Sequence, residues 1–393
     1  MDRIRNPFAP GAGNPPPELA GRAETITVAD TALGRIAIGR PAQSLILVGL
    51  RGVGKTVLLN RIRDIAETKD FIALFIEVHE GKTLPELLIP SLRSILFKLS
   101  DIENAKEKAR LGLRVLRSFA SALRLTIGEI EVGLSMEPER GVADSGDLEA
   151  DLPDLFASVA EAALAAKRPV AVILDELQYL RTQEFSAMIM ALHRINQRGL
   201  PLLMIGAGLP QILSLAGNSK SYAERLFRYP AIGPLSRSDA MQAVRRPIAD
   251  EGAAIDDDAL EEILRTTERY PYFLQQWGHD SWNITDGDTI QKPDVERATA
   301  VSLKELDQSF FKVRFDRCTN AEKRYMRALA EFGPGSHRSG DIAEKLGLKV
   351  TSVAPTRNNL IKKGMIYSPS HGDTCFTVPL FDRFMKRAIP NIS

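Results

Sequence analysis

Four short runs along the chain are apolar at nearly every position: Ser44–Val48, Phe71–Ile76, Val170–Leu174 and Pro201–Ile205. A run without alternation reads as a strand covered on both faces, as in a parallel sheet between two helical layers. The stretches between them change period. Lys55 to about Glu67 and Leu84 to about Lys98 space apolar residues three and four apart, as on one face of a helix. Together these patterns predict a three-layer α/β domain over residues 21–235. The segment between the second and third strands, about 99–150, is unusually long and reads as an insertion. It holds a basic helical stretch (Lys106, Lys108, Arg110, Arg114, Arg117, Arg124) and then an alternating run, Leu125 to Leu134, that predicts a hairpin. From 236 to 317 the period is purely helical, in four amphipathic segments with Ser or Asp starts. Residues 318–393 predict three helices followed by two short strands. Residues 1–20, with Pro7, Pro10, Pro15, Pro16 and Pro17, predict an extended arm with no helix.

Composition adds little: 44% apolar and 26% charged residues in 393 describe a globular chain of two or three domains. Charge adds more. The net charge is +1, yet Arg317 to Ser393 carries thirteen Lys/Arg against six Asp/Glu, a net of +7. The other 316 residues carry 38 against 44, a net of −6. A basic tail on an acidic body points to a polyanion as the tail's partner, with double-stranded DNA the expectation. Two cysteines, Cys318 and Cys375, and five scattered histidines exclude zinc chemistry and a disulfide-built secreted scaffold. The longest apolar stretch, about Leu200 to Ala216, is broken by Gly206, Gly208 and two prolines, so no membrane span is expected and the location is expected to be cytoplasmic.

The chemistry concentrates in one stretch. Gly49-Leu-Arg-Gly-Val-Gly-Lys-Thr56 follows an apolar strand and opens a helix. A full match to G-x-x-x-x-G-K-[ST] arises by chance in about one or two of a hundred chains this long. In such a loop the backbone of Gly49, Arg51, Gly52, Val53 and Gly54 wraps a β-phosphate at a helix N-terminus. Lys55 then reaches the β/γ oxygens of ATP, and the Thr56 hydroxyl ligates Mg²⁺. Val170–Leu174 ends in Asp175-Glu176. Asp175 falls at the carboxyl edge of the sheet, where it can hold Mg²⁺ through water, and Glu176 can deprotonate an attacking water. On its own, Asp-Glu after a strand is usually a helix cap.

Taken together, these residues resemble an AAA+ ATPase, and more narrowly the origin-recognition-complex-like AAA ATPases of bacteria and archaea that border on STAND-type ATPases. The resemblance is carried by Asn6-Pro-Phe, Pro15-Pro-Pro-Glu-Leu-Ala-Gly-Arg22, Gly49 to Asn60, Asp175-Glu-Leu-Gln-Tyr179 and Tyr270-Pro-Tyr-Phe-Leu-Gln275. It implies a P-loop AAA+ core, a helical lid over 236–317 and a winged helix-turn-helix over 318–393. It also implies that Arg22 borders the adenine and ribose, the alternative being an exposed turn, and that Pro271 belongs to the nucleotide-binding part of the lid. Arg225 would be a finger reaching the γ-phosphate in a second copy of the chain; a solvated arginine is the alternative, and Arg228 competes for the role. Two departures stand out. Ile205-Gly-Ala-Gly-Leu-Pro210 has no polar sensor at the strand end, and Arg269-Tyr-Pro271 stands where relatives more often show Gly-x-Pro. The first suggests slow hydrolysis, a switch rather than a motor.

In the tail, a helix-turn-helix would present Thr351, Ser352, Thr356 and Arg357 to base edges, with Asn359, Lys362 and Lys363 nearer phosphates. The sequence thus predicts an ATP-dependent, Mg²⁺-requiring switch that binds DNA through its tail. The same tail could instead dock a protein partner, as in a signalling ATPase.

Overall fold

The computed structural model describes residues 1–11, 13–125, 137–219 and 223–391. The predicted hairpin over 125–134 lies, apart from Leu125, outside them. The chain runs α1 (Ala23–Ala37), β1 (Ser44–Val48), α2 (Lys55–Thr68), β2 (Ile72–Glu77), α3 (Leu84–Ser100), α4 (Lys106–Ala122), α5 (Leu148–Ala166), β3 (Val170–Asp175), α6 (Thr182–Gln197) and β4 (Leu202–Gly208). It continues through α7 (Gln211–Ser219), α8 (Ala223–Leu226) and β5 (Phe227–Arg228). These five strands form one parallel sheet in the order β2-β3-β4-β1-β5.

Why the apolar runs lack alternation is visible in β1. Leu45 and Leu47 pack with Leu33 of α1 and Leu58 and Ile62 of α2. Ile46 and Val48 join the opposite cluster with α3 to α6. Successive side chains leave opposite faces of a strand, so both faces must be apolar. The register sets Leu45 beside Ile205, Val48 beside Gly208 and Glu77 beside Asp175, which brings the loop after β1 and the carboxylates after β2 and β3 to one edge.

The insertion is less peripheral than its sequence suggests. Leu113, Leu116 and Phe119 of α4 are buried in the main core with α3 and α5. Its basic face is largely neutralised, with Lys108 on Glu161, Arg110 on Glu107 and Arg114 on Glu139.

The second body comprises α9 (Arg237–Asp250), β6 (Ala254–Ile255), α10 (Asp257–Thr267), α11 (Pro271–Ile284), β7 (Thr289–Ile290) and α12 (Lys292–Leu306). The expectation of pure helix fails at β6 and β7, which pair in parallel over two residues each. A π-helical turn (Asp307–Phe311) and α13 (Lys312–Asp316) lead to the tail: α14 (Asn320–Glu331), β8 (His337–Arg338), α15 (Ser339–Lys345), α16 (Val350–Lys362), β9 (Ile366–Tyr367), β10 (Asp373–Phe376) and α17 (Phe381–Ala388). The tail sheet is antiparallel in the order β8-β10-β9, so it gains a strand and a final helix over the predicted pattern.

No hydrophobic gap separates the second body from the tail. Phe311 of the connector stacks on Phe384 at 5.2 Å and meets Phe381 at 5.7 Å, in a cluster shared with Trp277 and Met326. The N-terminal arm joins the same cluster. Phe8 is buried over Gly278, where a Cβ would lie 2.7 Å from its ring, and Asn6 donates to the carbonyl of His279. The arm begins with a 3-10 turn (Arg3–Arg5), against the expectation of no helix, because the first proline comes only at Pro7.

Candidate nucleotide site

The loop after β1, the carboxyl edge of β3, the start of α11, the connector and the arm enclose a cavity of about 440 Å³. Such a volume suits a small polar ligand held by several elements at once. Lys55, the first residue of α2, is buried, and its ammonium donates to the carbonyls of Gly49 (3.0 Å) and Leu50 (2.9 Å). Burial pushes its pKa down to about 8, with Glu176 and Asp175 opposing that shift. Gly54 precedes it in the left-handed region.

The Thr56 hydroxyl donates to a carboxylate oxygen of Asp175 at 2.5 Å. Burial raises the pKa of Asp175, and the Glu176 carboxylate adds to the rise. A hydroxyl and a buried carboxylate side by side are hard oxygen donors, and they fit Mg²⁺, which takes few protein ligands and fills the rest with water and phosphate. Among the described residues there is no cluster of three acidic, His or Cys side chains that would hold a metal by itself. When bound there, Mg²⁺ would neutralise charge between the terminal phosphates.

Glu176 holds a left-handed backbone (φ 57°), a conformation uncommon outside glycine. Its carboxylate lies 3.5 Å from the Arg51 guanidinium and accepts from the Gln178 amide. The carbonyl of that amide accepts from the backbone N–H of Leu209 at 3.0 Å. Leu177 packs closely on the strand that lacks a polar sensor. A Cβ on Gly206 would lie 2.4 Å from Leu177 Cδ1. Gln178 thus supplies polar contact to the strand end through the N–H of Leu209.

The remaining expected residues separate. Gly52 accepts from the N–H of Tyr272 at 3.1 Å, and Pro271 lines the cavity, so the start of α11 rests on the loop. Val53 is buried and its carbonyl accepts from Arg22 at 3.1 Å. Arg22 also donates to the carbonyl of Gly233 at 2.6 Å, so it ties the loop to the segment after β5. Arg225 is exposed on α8 outside the cavity, and Arg228 bonds Gln43. Arg269 has φ 61°, which explains why a glycine would suit its position.

Of the tail residues, Thr351, Ser352, Asn359 and Lys362 are exposed and Thr356 is half-buried. Two depart from the expectation. Arg357 turns back to bond Thr374, Ser368 and the carbonyl of Asp373, because β10 leaves those acceptors beside its guanidinium. Lys363 pairs with Glu322 at 2.7 Å and with the carbonyl of Arg317. Leu348, just before α16, and Val350, its first residue, are 51% and 49% exposed.

Sequence reasoning missed three features of the cavity. Glu77 could have been read as the carboxyl end of a strand; Arg314 and the arm residues Gly11 and Asn14 gave no such signal. It also missed that the tail touches the loop. The N–H of Arg51 donates to the carbonyl of Thr377 at 3.0 Å, and Gly364 packs against the Arg51 guanidinium.

A parallel sheet in this order, with a phosphate loop after β1 and a helical body closing the cleft, is the P-loop fold of the AAA+ ATPases. Residues 18–205 match the family described as the AAA ATPase domain, and residues 308–385 match a domain of unknown function, DUF8462. Among solved structures, the Walker-type ATPase PABY2304 of Pyrococcus abyssi superposes with a TM-score of 0.59 at 15% identity, over 94% of this chain and 96% of that one. The ORC2 protein of Aeropyrum pernix gives 0.49 at 13% identity (97% and 98%), and the ORC1 protein of the same organism, in complex with DNA, gives 0.47 at 14% (98% and 96%). Among curated proteins no sequence matches. No helix of the described residues is long and apolar enough to cross a membrane.

Proposed function

We propose that the chain is an ATP-binding, slowly hydrolysing switch whose nucleotide state sets how its tail, read as a winged helix, is presented to double-stranded DNA. The observation that carries this reading is the Arg51–Thr377 contact: the tail rests on the loop that would hold the phosphates. Any shift of that loop on nucleotide binding acts on the tail directly, and the shared aromatic cluster at Phe311 passes it on. Lys55 and the N–H groups of the loop bind the phosphates, Thr56 and Asp175 hold Mg²⁺, and Glu176 takes the proton of the attacking water. Glu176 must first leave Arg51 and Gln178, which favours slow turnover. The net +7 from Arg317 to Ser393 and the exposed Thr351, Ser352, Asn359 and Lys362 support DNA as the partner. The exposure of Arg225 on α8 supports it as the residue that reaches a second copy of the chain.

A second reading has its own support. Leu348 and Val350, exposed where base-reading residues would stand, suit a protein partner. Duplex binding measured by anisotropy between 50 and 200 mM salt, with ADP and with a non-hydrolysable ATP analogue, separates the two. DNA binding gives a log–log slope of about −0.9 per phosphate contact and an affinity that differs between nucleotides. No duplex binding at low salt in either state removes DNA and leaves the protein partner.

A further inference from the structure

Two neighbouring glutamines on α11 stand in opposite circumstances, and both are buried. The Gln276 amide donates to Asp280 and to Glu305, each at 2.9 Å. Gln275 is 9% exposed, and its side-chain oxygen, shut off from solvent, has no hydrogen-bond partner among the described residues. Of the buried side-chain oxygens in that condition among the described residues, it alone lines the nucleotide cavity. A buried carbonyl left unpaired loses its hydration without return, so native structures keep few of them. On a cavity wall the missing partner is a group of the ligand, and a carbonyl oxygen accepts only, so that group must be a donor.

The place of Gln275 along α11 selects the donor. The helix begins on the phosphate loop, where the N–H of Tyr272 meets the carbonyl of Gly52. Gln275 follows three residues later, ~4.5 Å further along the helix axis. One turn beyond it, Gly278 lies under the ring of Phe8. The cavity also has an apolar wall, formed by Leu19, Leu235, Ala243 and the preceding Leu274. Phosphates belong at the loop, and an apolar wall suits the flat ring of a base. Other polar groups of the lining are already engaged: Glu18 pairs with Arg246 at 2.9 Å, and Arg22 bonds the carbonyls of Val53 and Gly233.

Building on the nucleotide reading above, we infer that Gln275 reads the base: its side-chain oxygen accepts from the exocyclic 6-amino group of adenine. A 6-oxopurine carries an acceptor at the same place, so two oxygens would face one another and neither would be paired. Selection of ATP over GTP then resides in the second body, on the helix whose first turn rests on the phosphate loop.

The test is an equilibrium titration of the full chain with ADP, IDP and 2′-deoxy-ADP, each with Mg²⁺; IDP carries the 6-oxo group in place of the amine. The wild type should bind ADP at least about tenfold more tightly than IDP, and 2′-deoxy-ADP within about threefold of ADP. A smaller preference for ADP over IDP overturns the inference without any variant. Gln275→Met keeps the length of the side chain and removes the oxygen. Its ADP-to-IDP ratio should fall by about fivefold or more, with IDP binding retained as the sign of a folded site. Equal losses for ADP and IDP make Gln275 a structural residue and overturn the inference. So does a variant that changes only the ratio of ADP to 2′-deoxy-ADP, because the oxygen then reads the ribose. If the wild type binds none of the three, the phosphate-loop assignment fails and takes this inference with it; if it binds all three alike, only the base reading fails.

Discussion

The depressed pKa of Lys55 makes nucleotide affinity depend on pH in a defined direction. In the free protein Lys55 loses its proton as pH passes about 8, because burial costs the charged form more than Glu176 and Asp175 return. A diphosphate beside the ammonium holds the proton on. Binding above pH 8 therefore takes up a proton and weakens as pH rises. The protonated fraction falls from about nine tenths at pH 7 to about one tenth at pH 9, so ADP affinity should drop about tenfold, or ~1.4 kcal/mol. The same shift acts on folding with the opposite sign. The unfolded lysine, at its ordinary 10.5, keeps its proton between pH 8 and 10.5, so stability without ligand gains from Lys55 as pH rises through that window. The cavity lining among the described residues contains no histidine or cysteine to mimic the effect, and Arg314, at about 10, stays charged up to pH 9. Isothermal titrations with ADP at pH 7, 8 and 9 and fixed ionic strength measure it. Affinity constant within twofold from pH 7 to 9 would refute the assignment of Lys55 to the phosphates or the burial argument behind it.

Two further outcomes follow from the same geometry. Glu176→Gln should retain ATP binding, since Lys55, Thr56 and Asp175 remain, while phosphate release falls by about 10² or more; release at the wild-type rate would mean that another base is used. If Arg225 acts on a second copy, specific ATPase activity should rise with protein concentration and Arg225→Ala should remove that rise without weakening ATP binding; turnover independent of concentration and intact in the variant would leave a monomeric switch.

The sheet was legible in the sequence because full burial makes nearly every position of β1, β3 and β4 apolar, Ser44 and Asp175 at the strand ends excepted, and that signal survives without knowledge of the partner strands. The phosphate loop was legible because its spacing encodes a backbone shape. Strands such as β6, β7 and β8, two residues each, are too short to show any period. Side-chain aim was not legible at all. Arg357 and Arg314 both sit in helical stretches, and a linear pattern cannot say that one turns back on β10 and the other faces the cavity. The arm was expected only to be extended. What composition could not convey is that Phe8 anchors it and that Gly11 and Asn14 then reach the cavity.

The order of strands also bears on how the chain is made. β1 ends at Val48, yet the strands that flank it are β4, beginning at Leu202, and β5, beginning at Phe227. During synthesis β1, an interior strand of the sheet, therefore waits for its neighbours until most of the α/β domain has left the ribosome. Through that interval a largely apolar segment has both edges unpaired, the condition under which strands recruit other chains. Contacts this distant in sequence slow the search for the native sheet. The phosphate loop, which begins directly after Val48, can take its final shape only when that search ends. Nascent chains interrupted before residue 202 should be bound by chaperones or aggregate rather than accumulate as a nucleotide-binding fragment.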